Sequence, residues 1–190
     1  MTVCESKKRI LLHSCCGPCS TAVICRLLPD YDVTVFFFNP NITDPGEYGH
    51  RRAEQMRFIR EYSEAEQVRI GFLEGPYDPK AYYSAVRGLE QEPEGGARCG
   101  LCYYLRMQET ARQAAENGYD CFDTTLSVSP HKNFRVISAL GTELAGIWSV
   151  PYLNGNYKKR DGFRVSVGLS EAYGLYRQDY CGCSFSRDRS

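Results

Sequence analysis

The chain has 190 residues, 43% hydrophobic and 24% charged, the balance of a globular core and a solvated surface. Its 23 basic and 23 acidic residues cancel to a formal net charge of zero, so overall charge selects no polyanionic partner. No apolar run approaches the ~20 residues that span a membrane, and the start, "MTVCESKKRILLHSCC", lacks a long apolar region and a small-residue cleavage site. The expectation is a cytoplasmic protein of one domain.

In chain order, Arg9 to Ser14 reads as a short buried strand and Ser20 to Leu28 as an amphipathic helix. Asp32 to Asn39, "DVTVFFFN", is β-branched and aromatic and runs into the turn-forming "NPN", which makes it the clearest strand. Strand, helix and strand in about thirty residues form a βαβ unit and imply a parallel sheet. Glu47 to Glu64 is polar with spaced apolar residues and predicts a long helix; "QVRIGF" predicts a third strand and "PKAYYSAVRGL" a short helix. Acidic residues with Pro93 and Gly95-Gly96 make 88–98 a loop. A helix follows from about Leu101 to Asn117, with Leu105, Ala111, Ala114 and Ala115 as packing residues. "DCFDTTLSVSP" predicts a strand entering a Ser/Pro turn, and "HKNFRVISALG" a helix capped by Gly141. Beyond Gly146 the periodicity weakens; "GIWSVPYL" reads as extended and Arg164 to Arg177 as helical. With no repeat and no linker, the fold class is α/β with a mainly parallel sheet.

Ten cysteines are the outlier of the composition. In a reducing compartment clustered thiols point to metal or redox chemistry rather than to disulfide staples. Three tight groups stand out: "CCGPC" (Cys15, Cys16 and Cys19), "CGLC" (Cys99 and Cys102) and "CGC" (Cys181 and Cys183). Isolated Cys25 and Cys121, and near-terminal Cys4, read as small buried hydrophobes. The first group follows the opening strand and the second immediately precedes a helix. In an open α/β sheet such positions gather at one edge, so the groups converge on one site. Seven thiols exceed the four that one structural zinc or one 4Fe–4S cluster takes, which leaves thiols for a second metal or for redox work. On an extended strand end, Cys15 and Cys16 would point in opposite directions and serve two neighbouring centres. Flexible Gly182 would let one turn aim Cys181 and Cys183 inward. Iron–sulfur, zinc alone and disulfide exchange all stay open at this point.

The runs "HSCCGPCS", "FFFNPNI…EYGHR", "RCGLCYYLR", "TTLSVSPHKN" and "GLYRQDYCGCSFS", in this order from about Ile10 to Ser186, resemble the epoxyqueuosine reductase QueH family. The resemblance implies an oxidoreductase that removes the epoxide oxygen of epoxyqueuosine at the wobble position of tRNA, without cobalamin. It implies that Cys15, Cys16, Cys99, Cys102, Cys181 and Cys183 bind metal, as a 4Fe–4S cluster with a second mononuclear metal, iron, close by. Cys19 is a candidate ligand of that second metal. The implied fold resembles the ATP pyrophosphatase, or adenine-nucleotide alpha hydrolase, group, with the whole chain, 1–190, as a single domain.

Such a reaction consumes two electrons and two protons, so a low-potential electron donor is an expected partner beside the tRNA. The base lies in an anticodon loop, where a nucleotide can be splayed out and stacked on an aromatic ring. Asn39 and Asn41 in the "NPN" turn, together with Arg51, His131, Lys132 and Arg177, are the candidate substrate-binding residues; the asparagines read equally as local turn residues. His13, beside the cysteines, is a candidate proton donor or a core histidine. Basic clusters at Lys7-Lys8-Arg9, Arg51-Arg52, Lys158-Lys159-Arg160 and Arg187/Arg189 read first as solvated surface. Two rival readings remain: an ATP-dependent iron–sulfur tRNA-modifying enzyme, which would need a glycine-rich phosphate loop where "HSCCGPCS" stands, and a non-catalytic zinc-stabilised RNA-binding module.

Overall fold

Alternation along the first strands sorts the core into two layers. A computed structural model describes residues 6–187; Cys4 and Arg189, singled out above, lie outside the described residues. Strands β1 (Lys8–His13), β2 (Tyr31–Phe37), β3 (Gly71–Glu74) and β4 (Cys121–Thr124) form one parallel sheet in the order β3-β2-β1-β4. Ile10 and Leu12 of β1, with Val33 and Val35 of β2, pack against Val23, Ile24 and Leu27 of α1 (Gly17–Leu27) and Phe58 and Ile59 of α2 (Pro45–Glu66). Leu11, Phe36 and Phe122 point the other way, onto Met107, Ala111 and Ala114 of α4 (Ala97–Glu116) and Ile137 and Leu144 of α5 (Phe134–Trp148). Strands buried on both faces carry near-continuous apolar runs, and each such side chain contributes about 1.5–3 kcal/mol.

The remaining elements are short. Helix α3 (Pro79–Ala85) precedes α4; a 3₁₀ turn at Thr125–Val128 follows β4; α6 (Gly162–Ala172) packs on α1; and α7 (Ser184–Arg187) ends the described chain. The connection from β3 to β4 crosses to the far side of β1, so strand order reverses between β1 and β4. Such a switch point, at the carboxyl ends of the strands, is where open α/β sheets bind ligands.

Several predicted boundaries move, each for a physical reason. Helix α1 starts at Gly17, because Pro18 in its first turn has the fixed φ a helix start favours. The "QVRIGF" strand forms only from Gly71, since Gln67 is the left-handed cap of α2 (φ 55°). Helix α4 begins at Ala97, so Cys99 and Cys102 lie on the helix rather than before it. Gly141 does not cap α5, which runs on to Trp148; a Cβ there would lie 2.1 Å from Cε1 of Tyr152, so this glycine admits the ring. Only the end of "GIWSVPYL" is extended: Phe122 N–H donates to Pro151 O (3.0 Å) and Leu153 N–H to Phe122 O (3.0 Å), beside β4. Helix α6 stops at Ala172, and Gly174 (φ 55°) turns the chain into the loop that carries Arg177 to Cys183.

Candidate metal centre

Strand β1 delivers the first cysteines. Its ladder ends with Ser14 N–H donating to Phe36 O (2.9 Å), and the chain bends at Cys15 before α1 begins. The bend cancels strand alternation: the Cys15 and Cys16 sulfurs lie 3.8 Å apart, and with Cys19 all three fall within 4.8 Å of one another. The expectation that Cys15 and Cys16 point apart, towards two centres, is therefore corrected. A tetrahedral ion with metal–sulfur bonds of ~2.3 Å has an edge of about 3.8 Å, so this trio has the spacing of a single-ion site.

The other four thiols are a looser set that feel one another's charge, no three of them within 4.8 Å of one another. Cys99 and Cys102 sit three residues apart on one face of α4. The Cys181–Cys183 segment is held opposite by Thr43 N–H on Gly182 O (3.1 Å) and by Arg51, whose Nη1 donates to Cys181 O (3.2 Å) and Nη2 to Tyr180 O (3.1 Å). Burial, and then the charges of Cys181, Cys183 and Cys99, push the Cys102 thiol up to about 12, although Arg106 opposes the rise. Four thiols in this set match the ligand number of a 4Fe–4S cluster.

Within the trio the thiols divide the proton unequally. Hydrogen bonds from Cys16 and then Cys19 hold Cys15 well below the ordinary thiol range, helped by Lys132 and Arg106. Burial pushes Cys16 up to about 12, and its bond to Cys15 raises Cys19. Cys15 is the most acidic of the three.

Arg106 lies between the groups. It is 0% exposed, its Nε donates to Cys102 O (3.1 Å), and neither Nη1 nor Nη2 has a partner among the described residues. Burial disfavours its charge, but Cys102, Cys181 and Cys15 together outweigh that and hold it cationic. Lys132 is likewise held charged against burial by Cys181, Cys15 and Cys19. Two unsatisfied guanidinium N–H ends facing thiols are costly alone and fit a bound anionic centre with sulfur acceptors. Gln178 Nε2 donates to Cys16 Sγ (3.0 Å).

A cavity of about 630 Å³ opens over this arrangement, lined by Cys15, Cys19 and Cys181 and by Arg51, His131, Lys132 and Arg177. The structure thus gathers four of the six predicted substrate residues at one pocket. Asn39 and Asn41 are absent from its lining; both are 1% exposed. Asn39 Nδ2 donates to Ser14 O (2.9 Å) and braces the cysteine bend, whereas Asn41 has neither side-chain atom partnered among the described residues. His13 is a core histidine: Nε2 donates to Phe38 O (3.2 Å), Nδ1 accepts from Thr124 Oγ1 (2.9 Å), and burial lowers its pKa to about 3, so it stays a neutral imidazole whose one N–H is held by Phe38 O. Cys25 and Cys121 join neither thiol group: Cys25 Sγ donates to Tyr62 OH (3.1 Å) and Cys121 lies in the core. Arg106, Gln178 and Phe163, which also line the pocket, escape the sequence reading. For Arg106 the signal is spacing: Cys99, Cys102 and Arg106 share a helical face once α4 is known to start before them.

A family model described as epoxyqueuosine reductase QueH matches residues 10–189. The epoxyqueuosine reductase QueH of Streptococcus pyogenes serotype M1 is 42% identical over 177 residues, covering 93% of this chain and 69% of the relative. That of Thermotoga maritima is 33% identical over 177 residues, covering 93% and 89% respectively. Among solved structures, the U34-tRNA thiolase NcsA of Methanococcus maripaludis, described with its 4Fe–4S cluster, is similar with a TM-score of 0.53 at 14% identity. That match covers 96% of this chain but only 62% of the thiolase chain, and it shows the fold alone, the parallel α/β layering of the ATP pyrophosphatase group. With the family match spanning nearly its whole length, the chain belongs to the epoxyqueuosine reductase QueH family.

Proposed function

We propose that this protein, acting as one domain in the cytoplasm, reduces epoxyqueuosine at the tRNA wobble position to queuosine. Two electrons and two protons convert the epoxide to an alkene and release its oxygen as water. Beyond family membership, one observation carries the reading: Cys15 and Cys19 of one thiol group and Cys181 of the other meet buried Arg106 and half-buried Lys132 in the lining of a single nucleotide-sized pocket.

Cys99, Cys102, Cys181 and Cys183 are the ligands we assign to the 4Fe–4S cluster, and Cys15, Cys16 and Cys19 those of a second, mononuclear iron. Bound there, these groups supply single electrons, drawn from an external low-potential donor, and a Lewis-acidic position for the oxygen. The protein's own residues do the rest. Arg106 and Lys132 offset the thiolate charge, and Gln178 fixes Cys16 by its N–H. Arg51 and Asn39 hold the two cysteine loops rather than the substrate, since most of their donors are spent on Glu47 and on backbone carbonyls. His131, Lys132 and Arg177 are left to meet the nucleotide, which an anticodon loop can splay into the pocket. The unpartnered Asn41 carboxamide, on the segment against Cys181–Cys183, is a donor for a sulfur of the bound centre.

The test is anaerobic incubation with epoxyqueuosine-containing tRNA and a low-potential reductant, followed by nucleoside mass analysis. Loss of one oxygen is expected, from a brown protein absorbing near ~400 nm; a colourless protein holding only zinc and no acid-labile sulfide overturns the reading. The ligand assignment predicts that Cys102→Ser abolishes the absorbance, whereas Cys19→Ser keeps it and loses about one iron per chain. Equal loss of absorbance in both variants would refute the division.

A further inference from the structure

The pocket has a floor of thiols and cations, but its wall on α6 has another character. Phe163 lies one residue into that helix and is 43% exposed; of the exposed large apolar side chains among the described residues, it is the one that lines the pocket. The guanidinium of Arg177 sits 6.0 Å from its ring centroid. The other aromatic hydrocarbon ring of the lining, Tyr180, is already flanked by Arg51 and Arg187, at 5.2 and 5.6 Å, and is half-buried. Of the cations in the lining, Arg106 and Lys132 offset thiolates and Arg51 is engaged by Glu47 and the Cys181 loop, which leaves Arg177 to meet a phosphate. An exposed ring with such a cation beside it, at the side of a cavity, is what a single-stranded nucleic acid uses: bases stack on aromatic faces while phosphates follow the positive charge.

We propose that Phe163, flanked by Arg177, is a stacking platform for an unpaired anticodon-loop base next to the nucleotide that enters the pocket. The platform rests on the tRNA reading above and adds a second contact to it. Stacking is blind to base identity, so the site grips the loop without reading its sequence. It also explains why α6 begins with an exposed aromatic although its buried face already packs on α1 through Ser166, whose hydroxyl donates to Pro18 O (2.5 Å).

The test uses the metal-containing protein and an anticodon stem-loop with 2-aminopurine placed on either side of the wobble nucleotide. Binding should quench one of the two probes. Phe163→Ala should abolish that quenching and weaken stem-loop affinity roughly tenfold, with Phe163→Trp restoring both. The salt dependence should stay unchanged in Phe163→Ala, because no phosphate contact is lost. Reduction of the free epoxyqueuosine nucleoside by the wild-type protein reports the reductase reaction apart from loop binding. Quenching retained in Phe163→Ala, or absent at both positions while the wild type still removes the oxygen, overturns the platform and leaves the reductase reading intact. No oxygen loss by the wild type from either substrate overturns that reading instead.

Discussion

Replacing Arg106 with methionine should have opposite effects on the metal-free and metal-containing protein. Arg106 makes no ion pair with a carboxylate among the described residues, and its terminal nitrogens are unpartnered. Without metal, burial keeps the neighbouring Cys102 thiol protonated up to about 12, so the more acidic Cys15 is the main offset to the guanidinium. Exchanging such a partly compensated buried charge for an apolar side chain of similar size stabilises by roughly 1–4 kcal/mol. Bound metal holds the thiols deprotonated, and the sign turns. A unit charge ~5 Å from a thiolate, at an effective dielectric of about 20, contributes about 3 kcal/mol. Arg106→Met should therefore release iron to a chelator about 100-fold more readily, while raising the urea midpoint of the stripped protein. Arg106→Lys, which keeps the charge, should retain most of the iron. Equal destabilisation of both forms, or unchanged iron retention in Arg106→Met, would refute the assignment of Arg106 as countercharge.

Two further outcomes follow from groups around the site. His13, whose pKa falls from 6.5 to about 3, costs stability as pH falls below 6.5; Asp123, raised by burial from 3.8 to about 6, costs stability as pH rises from 3.8 to 6. Their proton uptakes cancel between about pH 4 and 6, so metal-free Asp123→Asn should lose about 1.4 kcal/mol per pH unit on acidification beyond the parent's slope; parallel slopes in urea titrations would refute this. Gly182, at φ 115°, allows no Cβ: one would lie 2.9 Å from Cγ1 of Ile42 and 3.3 Å from Nη1 of Arg51. Gly182→Ala should displace Cys181 and Cys183 and lower cluster content, destabilising the fold by about 1–3 kcal/mol; full iron and sulfide content in this variant would show that the turn does not aim the thiols.

Local chemistry made much of this protein legible without coordinates. The "DVTVFFFN" run, the βαβ spacing and the crowding of cysteines at a strand end and a helix start depend on residues near one another in the chain. The parallel sheet and the three cysteine groups follow from them. Boundaries failed where a distant residue decided: Gly141 reads as a helix stop until Tyr152 is seen to occupy the space a side chain would take. The site divides in the same way. The three cysteine groups are written in their spacing, but how they lie relative to one another is not. Alternation predicted that Cys15 and Cys16 separate, and a bend at Cys15 brought them together. Arg51, an apparent substrate residue, became a clamp because Cys181 arrives beside it from 130 positions away. Phe163 had no voice in the sequence, and Arg106 only the helical spacing it shares with Cys99 and Cys102. An arginine on a helix and a phenylalanine near another are ordinary until the fold buries the charge among thiols and leaves the ring open at the pocket. Sequence thus determined the spacing of the thiols and the sheet. Only the tertiary structure decided which charges face the thiols, because that depends on packing between segments with no local signal of each other.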